Sequence, residues 1–89
     1  MMNDTYNYLD KKYGKDMLAL KFFEECAEFS QAYLHLPKTG DYEKFYDELS
    51  DLLIVVDRII HSFECQNEVS TYKIKNMLEL KERVSSGKL

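Results

Sequence analysis

The sequence predicts an all-α fold, a small antiparallel bundle of about four helices. Three observations predict it. The chain has Gly 3 and Pro 1, too little punctuation for the many turns of a β meander. Its apolar residues recur at three- and four-residue spacing and do not alternate with period two. Two stretches of about 20 residues, each about 30 Å long as a helix, flank a four-residue turn and so lie antiparallel.

A first short helix spans roughly Thr5 to Tyr13, with Asp4 or Thr5 as its cap and Gly14 as its break. A second runs from about Asp16 to Leu36. It stops before Pro37, because the residue ahead of a proline avoids helical geometry. Pro37-Lys38-Thr39-Gly40 is the turn. Asp41 caps a third helix, about Tyr42 to Phe63. After a loop at Glu64 to Asn67, a fourth helix covers about Glu68 to Val84, and Ser85-Ser86-Gly87 ends it. The whole, residues 1–89, is one domain. A chain this short builds one small core, which self-association would reinforce.

Lys plus Arg number 12 and Asp plus Glu 16, a net charge of −4, which disfavours a nucleic-acid-coating role. The longest apolar run, Leu52 to Val56, is far short of a membrane span. The first residues lack the basic flank and apolar run of a signal peptide, so a cytoplasmic protein is expected. Cys26 and Cys65 make no disulfide framework and read as small apolar filler.

The acids carry the chemistry. On the second helix, Leu20, Phe23, Ala27, Ser30 and Leu34 form one apolar stripe. Phe22, Cys26, Phe29 and Tyr33 widen it into a second face suited to an interface. Glu24, Glu25 and Glu28 share the remaining arc, where their mutual repulsion is unfavourable. On the third helix, Phe45, Leu49, Leu52, Val56, Ile59 and Phe63 form the stripe, with Val55 and Ile60 beside it. Glu48 lies inside that stripe and Asp51 at its edge. An unpaired inward carboxylate must be neutralised, protonated or bound to a metal. Oxygen ligands from two antiparallel helices suit a hard cation, Mg²⁺ or Mn²⁺. Zinc and di-iron sites fit poorly, because neither His35 nor His61 has ligand spacing; both read as surface or helix-end residues. Lys73 sits within the stripe of the fourth helix, Val69, Met77, Leu80 and Val84, either as a partner for the acids or as a snorkelling stem.

Glu24-Glu25-Cys26-Ala27-Glu28, followed after nineteen residues by Glu48-Leu49-Ser50-Asp51, reads EExxE…ExxD. This resembles the MazG-like, all-α nucleoside triphosphate pyrophosphatase superfamily, in its small single-domain form. The surroundings match too: Tyr13-Gly14-Lys15, Phe29 to Leu34 after the first acids, and Leu52 to Ile60 after the second. The resemblance covers about Lys12 to Val84. It implies a Mg²⁺-dependent enzyme that cleaves an NTP or dNTP between the α and β phosphates, giving the monophosphate and pyrophosphate. It implies Glu25, Glu28, Glu48 and Asp51 as metal ligands. Glu24 is then a further ligand, a group that holds a ligand in place, or the catalytic residue that orients the attacking water. It also implies a homodimer or homotetramer with sites near the subunit contacts.

The fourth helix of small relatives often reads Tyr-Lys-x-x-Arg-Leu, whose basic residues face phosphate. Here it reads Tyr72-Lys73-Ile74-Lys75-Asn76-Met77. Lys73 and Asn76 are therefore the phosphate-binding candidates, with Asn76 lacking the bidentate charge of arginine. Leu18 stands where some relatives carry a glutamine that can touch the base. The competing expectations are a phosphoribosyl-ATP pyrophosphohydrolase, a non-catalytic helical interaction module, and a metal store or sensor.

Overall fold

The computed structural model describes residues 2–88. They form three helices and no strand: α1 (Met2–Thr39), α2 (Tyr42–Ser62) and α3 (Gln66–Ser85). The all-α class holds, with three helices in place of four.

The expected first and second helices run together as α1, with the break surviving as a kink at Gly14 (φ 78°, ψ 174°). That conformation is open in practice only to glycine. The kink folds the first turns back onto the end of α2. There Tyr6 is buried against His61 at 5.6 Å between rings, and His61 Nε2 lies 2.7 Å from Asn7 Oδ1. A β-carbon at residue 14 would meet no atom within 4 Å, so only the backbone resists substitution. Gly14→Ala is expected to cost about 1–3 kcal/mol in urea unfolding. An unchanged midpoint would show that the kink is not needed.

Both expected ends of the α1 region move outward. The helix starts at Met2, which leaves Asp4 in the first turn, where it complements the helix dipole. It also runs past Pro37 to Thr39. Proline here removes one hydrogen bond in the last turn only, and Gly40 N–H still closes on the Leu36 carbonyl at 2.8 Å. Gly40 (φ 63°) then reverses the chain. Asp41 caps α2 as expected, its carboxylate accepting from Lys44 N–H at 3.0 Å. The loop after α2 is shorter than expected, residues 63–65, and α3 begins at Gln66 without a side-chain cap.

The core lies between α1 and α2. Leu18, Glu25 and Ala32 are buried, with Phe22, Phe29 and Leu36 half-buried between them. These six recur every three or four residues, so they are the face of α1 that meets α2. The stripe expected to face inward points away: Leu20, Phe23 and Leu34 are 61%, 67% and 68% exposed. This segment is apolar on both sides, so hydropathy alone does not choose the inner one. On α2 the expected stripe is largely correct but centred on Val55, which is 3% exposed, while Phe63 lies outside. Phe45 is gripped by Phe29 and Tyr33 at 5.5 and 5.6 Å between ring centres.

α3 stands apart. It contacts α2 but makes no close approach to α1, and none of its described residues is buried. The radius of gyration is 16.4 Å, against about 12 Å for a close-packed domain of this length. One chain is therefore a two-helix hairpin carrying a splayed third helix, not a closed bundle. No helix is long and apolar enough to cross a membrane.

Candidate metal centre

The register of the hairpin brings the predicted acids together. Glu25, Glu48 and Asp51 offer oxygens that all lie within 4.8 Å of one another, and so do Glu24, Glu25 and Glu28. Glu25 belongs to both groups and joins them. It is the one buried charged residue among those described, at 4% exposed. Its place on the inner face of α1 corrects the expectation that Glu24, Glu25 and Glu28 share one outer arc. Successive helical residues diverge by about 100°, so Glu24 turns to solvent while Glu25 turns to α2. Glu28 remains exposed. The Glu48 side chain is 12% exposed, as its place within the apolar stripe of α2 requires, and Asp51 is half-buried.

Each inward acid is half satisfied. Glu25 Oε1 accepts from Lys21 Nζ at 2.9 Å, and Glu48 Oε1 pairs with Lys44 Nζ at 3.4 Å. The second oxygen of each, Glu25 Oε2 and Glu48 Oε2, is buried with no hydrogen-bond partner. A buried carboxylate oxygen without a donor is costly, and a hard cation relieves that cost. The donor set is all oxygen, which fits Mg²⁺ or Mn²⁺ better than zinc. Both histidines lie elsewhere: His35 is exposed beside Gln31, and His61 packs on Tyr6. Cys26 and Cys65 are free thiols.

Crowding of like charges leaves a titration signature. The Glu25 charge, with burial and Glu48 and Glu24 behind it, raises the Glu28 carboxyl above its ordinary 4.5. Burial, then Asp47, Glu25 and Glu48, raises Asp51 above 3.8. The hydrogen bond to Glu25 raises the Lys21 ammonium above 10.5 despite partial burial. The signs are opposite. A carboxyl that is harder to ionise when folded destabilises the fold once it is charged. The penalty is absent well below the ordinary pKa and complete above the raised one. Lys21 stabilises below 10.5, and that contribution is lost as pH rises through its raised value. In metal-free protein, Glu28→Gln is therefore expected to raise Tm at pH 7.5 and to leave it unchanged well below pH 4.5. Thermal unfolding at the two pH values checks this. A Tm that falls at pH 7.5 would remove the repulsion argument.

The other predicted residues fall outside the cluster. Lys73 and Asn76 lie on an exposed face of α3 with Val69, Tyr72, Met77 and Leu80, and α3 makes no close approach to α1. Leu18 is a core residue, 2% exposed. Two cations that sequence reasoning passed over stand at the edge of the centre. Lys21 and Arg58 share the wall of a depression of about 320 Å³ with Leu9, Tyr13, Met17, Leu20 and Glu24. The signal for Lys21 was its place one helical turn before Glu25. Arg58 gave none, because its neighbour across the hairpin is distant in sequence.

The chain matches no protein-family model, no curated protein and no solved structure.

Proposed function

We propose that this chain is a Mg²⁺-dependent nucleotide pyrophosphohydrolase of the MazG-like type. Its substrate is an NTP or dNTP, cleaved between the α and β phosphates to give the monophosphate and pyrophosphate. The observation that supports this reading is the pair of inward carboxylates, Glu25 on α1 and Glu48 on α2, each with a buried oxygen that has no donor. A hairpin held together only by packing gains nothing from acids in that position. Glu25, Glu28, Glu48 and Asp51 would hold the cation, Mg²⁺ or Mn²⁺. Such an ion, when bound, polarises phosphoryl oxygens and lowers the pKa of a coordinated water. Glu24 is exposed beside Glu25 and Glu28. From there it orients the attacking water from the solvent side. The packed faces of α1 and α2, with Leu18, Ala32 and Val55 buried on either side of the acids, fix them against each other, so the centre needs little reorganisation.

A second copy completes the molecule in this reading. A folded chain of 10.6 kDa exposes about 5,500 Å², whereas this one exposes 7333 Å². The excess per chain is of the size that obligate homodimers bury. Lys73 and Asn76, remote from the acids of their own chain, would reach substrate phosphates only from a neighbouring subunit.

The test is incubation of purified protein with a panel of NTPs and dNTPs and Mg²⁺ or Mn²⁺, with release of monophosphate and pyrophosphate measured. Product that EDTA abolishes supports the reading and identifies the substrate. Absence of product from every nucleotide with either cation would overturn it.

A further inference from the structure

Each inward carboxylate is met by a lysine one turn earlier on its own helix, but the two lysines differ. Lys21 lies 2.9 Å from Glu25 Oε1 and 3.5 Å from Glu24 Oε1, whereas Lys44, among the described residues, pairs with Glu48 alone, at 3.4 Å. Lys21 serves the most buried acid of the centre, whose side chain is 5% exposed, while its own side chain is 43% exposed. One Glu25 oxygen is thus taken by Lys21 and the other has no partner.

A hard cation approaches its carboxylate oxygens to about 2.0–2.6 Å. An ammonium kept on the same carboxylate is then a like charge at close range in poorly solvated surroundings, and the two repel strongly. Lys21 has another place to go. Its flexible four-carbon stem already forms part of the wall of the adjoining depression. That depression has an apolar side built from Leu9, Tyr13, Met17 and Leu20. Its second cation is Arg58, whose Nε is buried without a partner. An occupant with a flat apolar part and an anionic part fits these walls.

Resting on the metal-centre reading above, we propose that Lys21 is an exchangeable counter-ion. It neutralises Glu25 when no divalent cation is present. The cation displaces it, and it then turns into the depression and pairs with a phosphate of the ligand. Lys21 thereby links anion binding to metal loading. A substrate arriving before the cation finds this lysine occupied.

Acetylation of the folded protein with an amine-reactive reagent, read residue by residue by mass spectrometry, tests the exchange. Metal uptake is measured in parallel by calorimetry. Modification of Lys21 is expected to quicken about threefold on adding Mg²⁺, as befits release of one partly exposed ion pair. Adding inorganic pyrophosphate with Mg²⁺ is expected to slow it again, while pyrophosphate alone leaves it unchanged. Exposed Lys38 is the internal reference. Lys21→Met is expected to weaken pyrophosphate binding to the Mg²⁺-loaded protein about tenfold, the size of one hydrogen bond to a charged group. Its Mg²⁺ affinity should be no weaker than that of the wild type. Mg²⁺ uptake with Lys21 modification unchanged overturns the exchange and leaves the metal centre standing. Uptake of neither Mg²⁺ nor Mn²⁺ by the wild type overturns both. Unimpaired pyrophosphate binding by Lys21→Met overturns the phosphate contact.

Discussion

Glu25→Gln is expected to lower the proposed Mg²⁺-dependent turnover by about 10²–10³-fold, the range for loss of a group that holds charge at a reacting centre. Glu25 is chosen because it is shared by both groups of acids and is the most buried of them. The amide keeps the shape of the side chain but removes the charge that a hard cation requires. The fold should persist, since the substitution relieves repulsion on Glu28 and leaves the half-exposed Lys21 to Glu24 and solvent. Glu48→Gln is expected to fail in the same way from the other helix. Glu43→Gln, on an exposed residue outside both groups, should leave turnover unchanged. Circular dichroism confirms folding, and calorimetry separates loss of metal from loss of chemistry. Full turnover in Glu25→Gln and Glu48→Gln together would show that the acids serve something other than this reaction.

The second large effect concerns α3. Met77 and Leu80 are 57% and 44% exposed on a helix with no buried residue. Placing aspartate at both positions is expected to convert the proposed assembly to monomers. Full burial of such a side chain contributes about 1.5–3 kcal/mol, so losing two weakens association by at least a hundredfold. Sedimentation across a concentration series reads this directly. A wild-type protein that stays monomeric at high concentration, or a double variant that assembles unchanged, would show that α3 is not the interface.

Much of the fold was legible. The Asp41 cap, the reversal at Gly40 and the period of α2 are local signals, and they are decided locally. Gly14 was legible as a break but not as a kink, because whether two segments stay collinear depends on what the first one packs against. Here Tyr6 finds His61. The inner face of α1 was misread for a different reason. Leu18, Phe22, Phe29, Ala32 and Leu36 form a good stripe, but Glu25 sits in its middle, and the opposite side is equally apolar. Glu48 is legible on α2 as a carboxylate within one apolar stripe, whereas Glu25 on α1 lies between two apolar sides and does not stand out. The five acids are legible from helical periodicity together with the EExxE…ExxD resemblance, and the hairpin register that brings them within reach follows from the two-residue connector at 40–41. Lys21 was missed because a lysine beside a glutamate on a helix is commonplace. Only the depth of Glu25 gives it meaning.

The separation between the hairpin and α3 also governs how the molecule forms. α1 and α2 meet across a connector of two residues, so their search is short and concerted collapse onto Leu18 and Val55 proceeds within one chain. α3 touches α2 only slightly and buries none of its described residues, and most helical stability in proteins comes from packing an apolar face rather than from propensity. In the proposed assembly its ordering waits on collision with a second copy. Refolding should therefore divide into a fast phase independent of protein concentration and a slower phase whose rate rises with it. On that reading a dilute chain keeps α3 uncovered until it meets a second copy.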